Sequence, residues 1–463
     1  MVRRYVRPAV LAAMLAASLS VSSASAQDAQ PQQRRPDQGL FQGGEQGTEH
    51  GDVLLLSGAA FESYDDNIAA GQASGSPTFD QRFQSSGFYS GGDAALFYGK
   101  RSERVRVGAN AGAAIQYYPR LADLTQTSYH AGIDLSAVRG RRTYQAMQAA
   151  SWLPFFVLGT APLAAAAPPL FPTAPNPDTV FVPPLAGTQD VAVFSQPLTS
   201  YQTGLGFTQA VGRRFSLGLN YGLNMSDLSE GLADLTNQSA RGTLSLQVSR
   251  NASLRSGYGY QDAVFDTVSE GTKRSRTHSI DVGFQYLRAL SATRSIGVSG
   301  GSGASILQRD EDTHPELAGK KYYSAIGSAG FTYMFHRTWS ANAEYRRSLQ
   351  LLEGVSQPFY TDDVGANLGG RFSRRVDFLG GVRYSQGVIA FDSVSRDHDT
   401  RSGSIRLRYA LSGQLALLGE YAFYGYTFSR QVDLPEGISR KLDRQVIRAG
   451  LTFGLPLLRR SRK

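Results

Sequence analysis

From about Val53 to Leu457 the chain alternates apolar and polar side chains, in runs of roughly a dozen residues. In one run Val105, Val107, Ala109, Ala111, Ala113, Ile115 and Tyr117 alternate with Arg106, Gly108, Asn110, Gly112, Ala114 and Gln116. Successive side chains on a strand point to opposite faces, so the run reads as a strand with one apolar and one wet face. Phe215, Leu217, Leu219, Tyr221 and Leu223 repeat it, with Ser216, Gly218, Asn220, Gly222 and Asn224 between them. A soluble sandwich uses shorter strands and buries their apolar sides. About 18 such runs joined in hairpins predict an all-β fold, a transmembrane antiparallel up-and-down β-barrel with a polar interior. The first strand is expected at 53–64 and the last at 443–457.

The connections alternate between short and long. Short turns are expected at Lys100-Arg101-Ser102, Arg139-Gly140-Arg141, Gly212-Arg213, Arg250-Asn251, His336-Arg337, Ser373-Arg374 and Ser412-Gly413. Long connections fall at 65–86, 153–198, 264–275, 308–320, 389–399 and 429–442. Outer-membrane barrels have short periplasmic turns and long external loops, so the asymmetry puts both termini in the periplasm of a Gram-negative cell. Aromatic girdles are expected at the two interfaces: Tyr64, Tyr118, Trp152, Tyr345 and Tyr424 outside, and Tyr98, Phe207, Tyr286, Phe335, Phe372 and Tyr409 inside. The connection at 153–198 holds 10 of the 19 prolines together with Phe155, Phe156, Leu170 and Phe171. Repeated proline leaves backbone groups unbonded in lipid, so this segment reads as an ordered external loop packed on itself or folded into the barrel mouth, not as a spanning helix.

Arg3, Arg4 and Arg7, an apolar stretch from Ala9 to Val21, and Ala24-Ser25-Ala26 form a secretory signal peptide over residues 1–26. Residues 27–52, rich in Gln, Gly and Pro, read as a disordered periplasmic leader, 53–458 as the barrel, and 459–463 as a basic tail. The chain has no cysteine, which removes disulfide and thiolate-metal chemistry. Its formal net charge is +9, with the arginines scattered and not gathered into one patch, so nucleic acid is discounted as a partner.

Catalytic constellations are weak. Asp65 and Asp66 could activate water as a pair, but an Asp-Asp-Asn run leaving a strand is ordinary turn chemistry. His278 and Ser279 are neighbours on a strand and point apart, which prevents the base-to-nucleophile hydrogen bond. Asp397, His398 and Asp399 lack a further ligand set for a cation. Gly300-Gly301-Ser302-Gly303 has no following helix to make a phosphate cradle. No enzyme activity, metal or cofactor is expected. The inward face is the more credible site: strand parity turns Arg106, Arg255, Arg346, Arg383, Arg406, Arg408 and Arg448 inward, with Asp134, Asp281, Glu344, Asp377 and Glu420. A charge facing lipid at midplane costs about 2–4 kcal/mol, which favours this placement.

Three stretches carry a family likeness: FESYDDN from Phe61, RTHSIDVGFQYLRALSATRSIGVSGGSG from Arg276 and RQVIRAGLTFGLPLL from Arg444. They resemble the beta-barrel porin 2 family of Gram-negative outer-membrane proteins, some of which are encoded among exopolysaccharide genes. The resemblance implies a barrel with a channel-like role and no family active site. One departure is the C-terminus, where Phe453 is followed by Leu455, Pro456, Leu457, Leu458 and a basic tail, so the assembly machinery would have to recognise the strand itself. The expected function is passive diffusion of small polar or anionic solutes. The alternatives are exopolysaccharide export and a surface structural or adhesin barrel.

Overall fold

A computed structural model describes residues 51–67, 86–119, 124–154, 197–228, 234–267, 271–291, 293–310, 321–336, 338–352, 355, 357–390, 397–432, 434 and 439–461. They form β1 (Gly51–Asp65), β2 (Gly87–Arg101), β3 (Val105–Tyr118), β4 (Leu124–Arg139), β5 (Arg142–Leu153) and β6 (Leu198–Ala210). Next come β7 (Phe215–Leu228), β8 (Asp234–Gln247), β9 (Ala252–Thr267), β10 (Gly271–Ser291), β11 (Arg294–Asp310) and β12 (Lys321–Phe335). The wall is completed by β13 (Trp339–Leu351), β14 (Pro358–Arg371), β15 (Val376–Ile389), β16 (His398–Ala410), β17 (Leu415–Phe428) and β18 (Lys441–Ser461). Each strand pairs antiparallel with its sequence neighbours, and β1 pairs with both β2 and β18, closing an 18-stranded barrel. Closure leaves no edge strand, which is what a sheet in hydrocarbon requires.

The register carries one face around the whole wall. Leu219 stands opposite Phe207 and Gly242, and Tyr258 stands between Gly242 and Ile280. This outward face leaves Leu205, Leu217, Leu219, Leu254, Ile280, Val282, Phe284, Leu407 and Leu451 exposed, an apolar band suited to lipid. Of the expected girdle residues, Tyr64, Trp152, Tyr345, Tyr98, Phe207, Tyr286, Phe335, Phe372 and Tyr409 sit on the outward side. Tyr118 and Tyr424 do not: both point inward and are buried. Their parity matches that of Gln116 and Glu420, so the period of two turns them inward, and depth along the strand alone does not tell which face a ring is on.

The short turns have a shared device. In four of them a serine hydroxyl (Ser102, Ser249, Ser373 and Ser412) accepts the backbone N–H three residues on, at 3.1–3.2 Å. This side-chain turn satisfies a donor that the ladder cannot reach. Gly140 and His336 take positive φ at two further turns, 59° and 51°. The connection expected at 264–275 is mostly strand, since β9 runs to Thr267 and β10 starts at Gly271. The ends also differ from the sequence reading: β1 begins at Gly51, and β18 continues through Arg459 and Arg460 to Ser461, opposite Val53, Asp52 and Gly51. A bulge at Leu457, between the rungs Leu54/Leu458 and Leu55/Pro456, admits Pro456, which has no N–H to donate. The signal peptide and most of the leader and the Pro-rich loop lie outside the described residues.

Leu219→Arg is expected to reduce the heat-modifiable, folded fraction on refolding into bilayers, at a cost of about 2–4 kcal/mol. Asn220→Arg, whose side chain faces inward, should refold like the parent, and equal refolding of the two variants would contradict the register.

Candidate functional site

The ladder places every sequence-derived interior charge on the inward face, where most of them meet partners. Arg408 and Asp377 face each other across β15 and β16 and form an ion pair. Arg406, Glu420 and Arg448 lie on one row across β16, β17 and β18, with Arg448 Nη1 3.5 Å from a Glu420 oxygen. The same guanidinium lies 4.1 Å from the centroid of the Phe61 ring, a cation–π contact in a buried setting. Arg346 stands between Ser328 and Asp363, and Asp363 accepts a hydrogen bond from Gln350 at 2.7 Å. Arg106 stands between Arg101 and Ser136, and Asp134 fills the space over Gly108.

Two further pairs span three strands. Arg241 on β8 reaches over Gly257 on β9 to Asp281 on β10. Glu344 on β13 reaches over Gly365 on β14 to Arg383 on β15, at 2.6 Å. A Cβ at Gly257 would sit 2.6 Å from the Arg241 guanidinium and 3.0 Å from the Asp281 carboxylate, so the bridge exists because that position has no side chain. Arg255 flanks this group from the next inward position on β9. Asp281 is almost wholly buried, and a carboxylate there needs its cation.

Parity reasoning missed Arg241, which is inward on β8, and Arg444 and Asp65, whose doubly bonded ion pair is fully buried at the long-loop end. Asp65 therefore serves as a structural anchor for β18. Asp66 faces the other way and accepts the backbone N–H of Gln445 at 2.7 Å. His278 faces outward, 2.8 Å from the Tyr258 hydroxyl, while Ser279 faces inward. Asp397 caps the backbone N–H of Ile389 at 2.8 Å and accepts the Ser429 hydroxyl at 3.1 Å, and His398 is held between the rings of Phe359 and Phe428. Among the described residues no group of three or more acidic or histidine side chains could hold a metal ion. Gly300 lies under the Phe284 ring and Gly303 against the β10 backbone, so this glycine run serves strand packing.

The interior changes along its length. Toward the short turns, the inward Gln145, Met147, Asn342, Glu344 and Asn367 are exposed. Toward the long loops, Leu153, Leu198, Leu228, Leu352, Val355, Phe359, Ile389, Tyr426, Phe428 and Leu442 form one buried cluster spanning the mouth. Opposite sides of the barrel meet there because the wall parts between β12 and β13. Their ladder ends at the rung Gly327/Arg347, although both strands run on, through 321–326 and 348–351. Freed from β12, the β13–β14 hairpin bends inward: Leu351 packs on Leu235, Ala263 and Phe265, and the Tyr360 hydroxyl lies 2.9 Å from that of Ser305. Leu153 and Leu198, the feet of the Pro-rich connection, belong to this mouth cluster; the loop itself lies outside the described residues.

Gly257→Val should break the Arg241–Asp281 bridge and destabilise the barrel by about 3–5 kcal/mol, as loss of one partner of a buried pair does. Gly242→Val, an outward position where the nearest atom to a new Cβ is 3.8 Å away, should leave the unfolding midpoint in guanidinium unchanged. The two midpoints, measured by tryptophan fluorescence, decide the matter.

No protein-family model matches the chain, and no curated protein matches it. Among solved structures it is similar to a BenF-like porin from Pseudomonas fluorescens, with a TM-score of 0.44 and 10% identity over 89% of this chain and 100% of that one. It is also similar to OpdL of Pseudomonas aeruginosa, with a TM-score of 0.42 and 11% identity over 88% and 99% of the two chains. OprD of the same organism gives a TM-score of 0.39 and 10% identity over 88% and 96%. At these scores the likeness adds nothing to the barrel that the chain's own strand pairing defines.

Proposed function

We propose that the protein is a passive channel of the Gram-negative outer membrane for small polar or anionic solutes, with both termini in the periplasm and the long loops outside. The observation that carries this reading is the contrast between the two faces of one closed wall. The outward face is apolar, and the inward face bears rows of charge from β3 to β18. Fixed charge along a lumen biases which ions pass, and the inward Gln145, Asn342, Glu344 and Asn367 are exposed in the half toward the short turns. Its surroundings would be outer-membrane lipid and, during insertion, the outer-membrane assembly machinery. The resemblance to the beta-barrel porin 2 family points the same way.

The mouth cluster makes the β13–β14 hairpin the barrier in the described state, since a hydrated solute cannot cross packed leucine, valine and phenylalanine without shedding its water. One feature bears on the glycan-export alternative: Tyr89, Tyr118, Tyr424 and Tyr426 turn inward but are buried against other rings, so they would meet the faces of a sugar only with the mouth packing opened. Loss of secreted polysaccharide on deletion of the protein, with conductance absent in bilayers, would select that alternative.

The inward arginines outnumber the inward carboxylates slightly, so a mild anion preference is expected that fades as salt rises. The reversal potential of the refolded protein under a chloride salt gradient measures it, and clear cation selectivity would contradict the proposed lining. Replacing Leu352, Val355 and Phe359 together by serine should loosen the mouth cluster and raise single-channel conductance. Unchanged conductance would show that the hairpin is not the barrier.

A further inference from the structure

The two strands that part above Gly327/Arg347 keep matching patterns beyond that rung. Continued in the same register, β12 and β13 would set Ile326 against Ser348, Ala325 against Leu349, Ser324 against Gln350 and Tyr323 against Leu351. Parity turns Ala325, Leu349, Tyr323 and Leu351 to the lipid side, and Ser324, Ser348 and Gln350 to the lumen. On β14 the outward positions are Tyr360, Asp362 and Val364, with Asp362 paired to Arg347, and the inward ones include Thr361 and Asp363. The freed segments therefore carry the pattern of a wall, although in the described state they do not serve as one.

In that state the outward residues of the hairpin pack inside the barrel. Leu351 lies on the inward Leu235, Ala263 and Phe265, and the Tyr360 hydroxyl lies 2.9 Å from that of the inward Ser305. Both contacts set a side chain of lipid-facing parity against the lumen face of β8, β9 and β11. On the β12 edge the Ala325 carbonyl takes side-chain donors in place of a strand, Arg347 Nε at 3.2 Å and the Ser324 hydroxyl at 3.4 Å. Arg347 also donates to Asp362 at 2.7 Å, and so fastens the hairpin to β12 across the parting. β13, β14 and β15 stay paired up to the rungs Leu351/Pro358 and Phe359/Ile389, and the Glu344–Arg383 pair spans all three just below the parting. The three strands thus bend as one piece.

We propose that the bent hairpin is one of two positions of a flap. In the other, β13 zips onto β12 over the rungs Ile326/Ser348 to Tyr323/Leu351, which completes the wall and withdraws Leu352, Val355 and Phe359 from the mouth cluster. The two positions exchange like for like. When the flap zips, Leu349, Leu351 and Tyr360 leave protein contacts for lipid, which is as apolar as a leucine side chain. Ser324, Ser348 and Gln350 then line the lumen, and the Ala325 carbonyl gains a strand partner. When it bends, the mouth cluster packs and side chains stand in for the missing rungs. Arg347 and Asp362 face each other on β13 and β14 and stay paired in both positions, so neither puts an unpaired charge from this row into lipid. A balance of this kind is what a two-position element requires. The proposal rests on the reading of this hairpin as the barrier of a channel.

The chain has no cysteine, so an introduced pair reports a single proximity. Ser324→Cys with Gln350→Cys, in the refolded full barrel in lipid vesicles, should form a disulfide under mild oxidant, read as a mobility change on unreduced gels. Thr332→Cys with Asn342→Cys, on a rung that the wall already holds, sets the reference rate. The flap pair should link at no less than about a thousandth of that rate, as the minor partner of a two-position element is populated to that extent or more. Adding Tyr360→Phe, which removes the hydroxyl contact with Ser305 and keeps the ring, should speed the linking severalfold. In planar bilayers the linked form should conduct several times more than the same protein after reduction. Should the first pair refold poorly, Tyr323→Cys with Leu351→Cys tests the next rung but one. Absence of linking would overturn the flap, as would a rate indifferent to Tyr360→Phe, or a measurable conductance that is equal in the linked and reduced forms. Linking with no conductance in either form would support the flap and overturn the channel reading, so the two failures are told apart.

Discussion

The structure depends on one constraint: in hydrocarbon, each backbone N–H and C=O of the wall must bond to a neighbouring strand, because no water is there to take its place. An open sheet cannot meet it, and a closed ladder can. Closure then requires the first and last strands to find each other across the whole sequence, and β1 and β18 do so over rungs from Gly51/Ser461 to Asp65/Val446. The buried Arg444–Asp65 ion pair reinforces this junction at its far end. An even number of antiparallel strands brings the start of β1 and the end of β18 to the same side, whichever side that is.

Once the wall is closed, the period of two sorts every side chain to lipid or lumen, and the lumen's chemistry follows. Charges on adjacent strands pair directly, as Arg408 does with Asp377. Among the described residues, charges two strands apart pair where the strand between them has a glycine, as over Gly257 and Gly365. Glycine in a strand is usually a weakness of packing and entropy. Here it is the condition for a bridge that ties three strands together and neutralises a carboxylate that would otherwise be buried alone.

The departure from full pairing is informative for the same reason. Where β12 and β13 separate above Gly327/Arg347, the freed hairpin does not hang in water but packs its apolar residues against the inside of the opposite wall. The barrel thus has a charged, open half toward the short turns and a packed apolar half toward the long loops.

Much of this was legible from residues alone. The alternation around Val105 to Tyr117, the serine and glycine turns, and the long and short connections specify strands, hairpins and closure, because a period of two and turn chemistry are local properties. The inward direction of Arg106, Arg255, Glu344 and Glu420 follows from parity within each strand for the same reason. The sequence reading did not single out Arg241, Asp65 or Arg444, and it put Tyr118 and Tyr424 in the girdle by depth although their parity matches that of Gln116 and Glu420, because depth along a strand does not distinguish its two faces. Which arginine meets which carboxylate, which glycine lies beneath them, and where the wall opens depend on the register between strands far apart in sequence. Those relations exist only once all 18 strands have closed on one another, so the tertiary structure alone decided them.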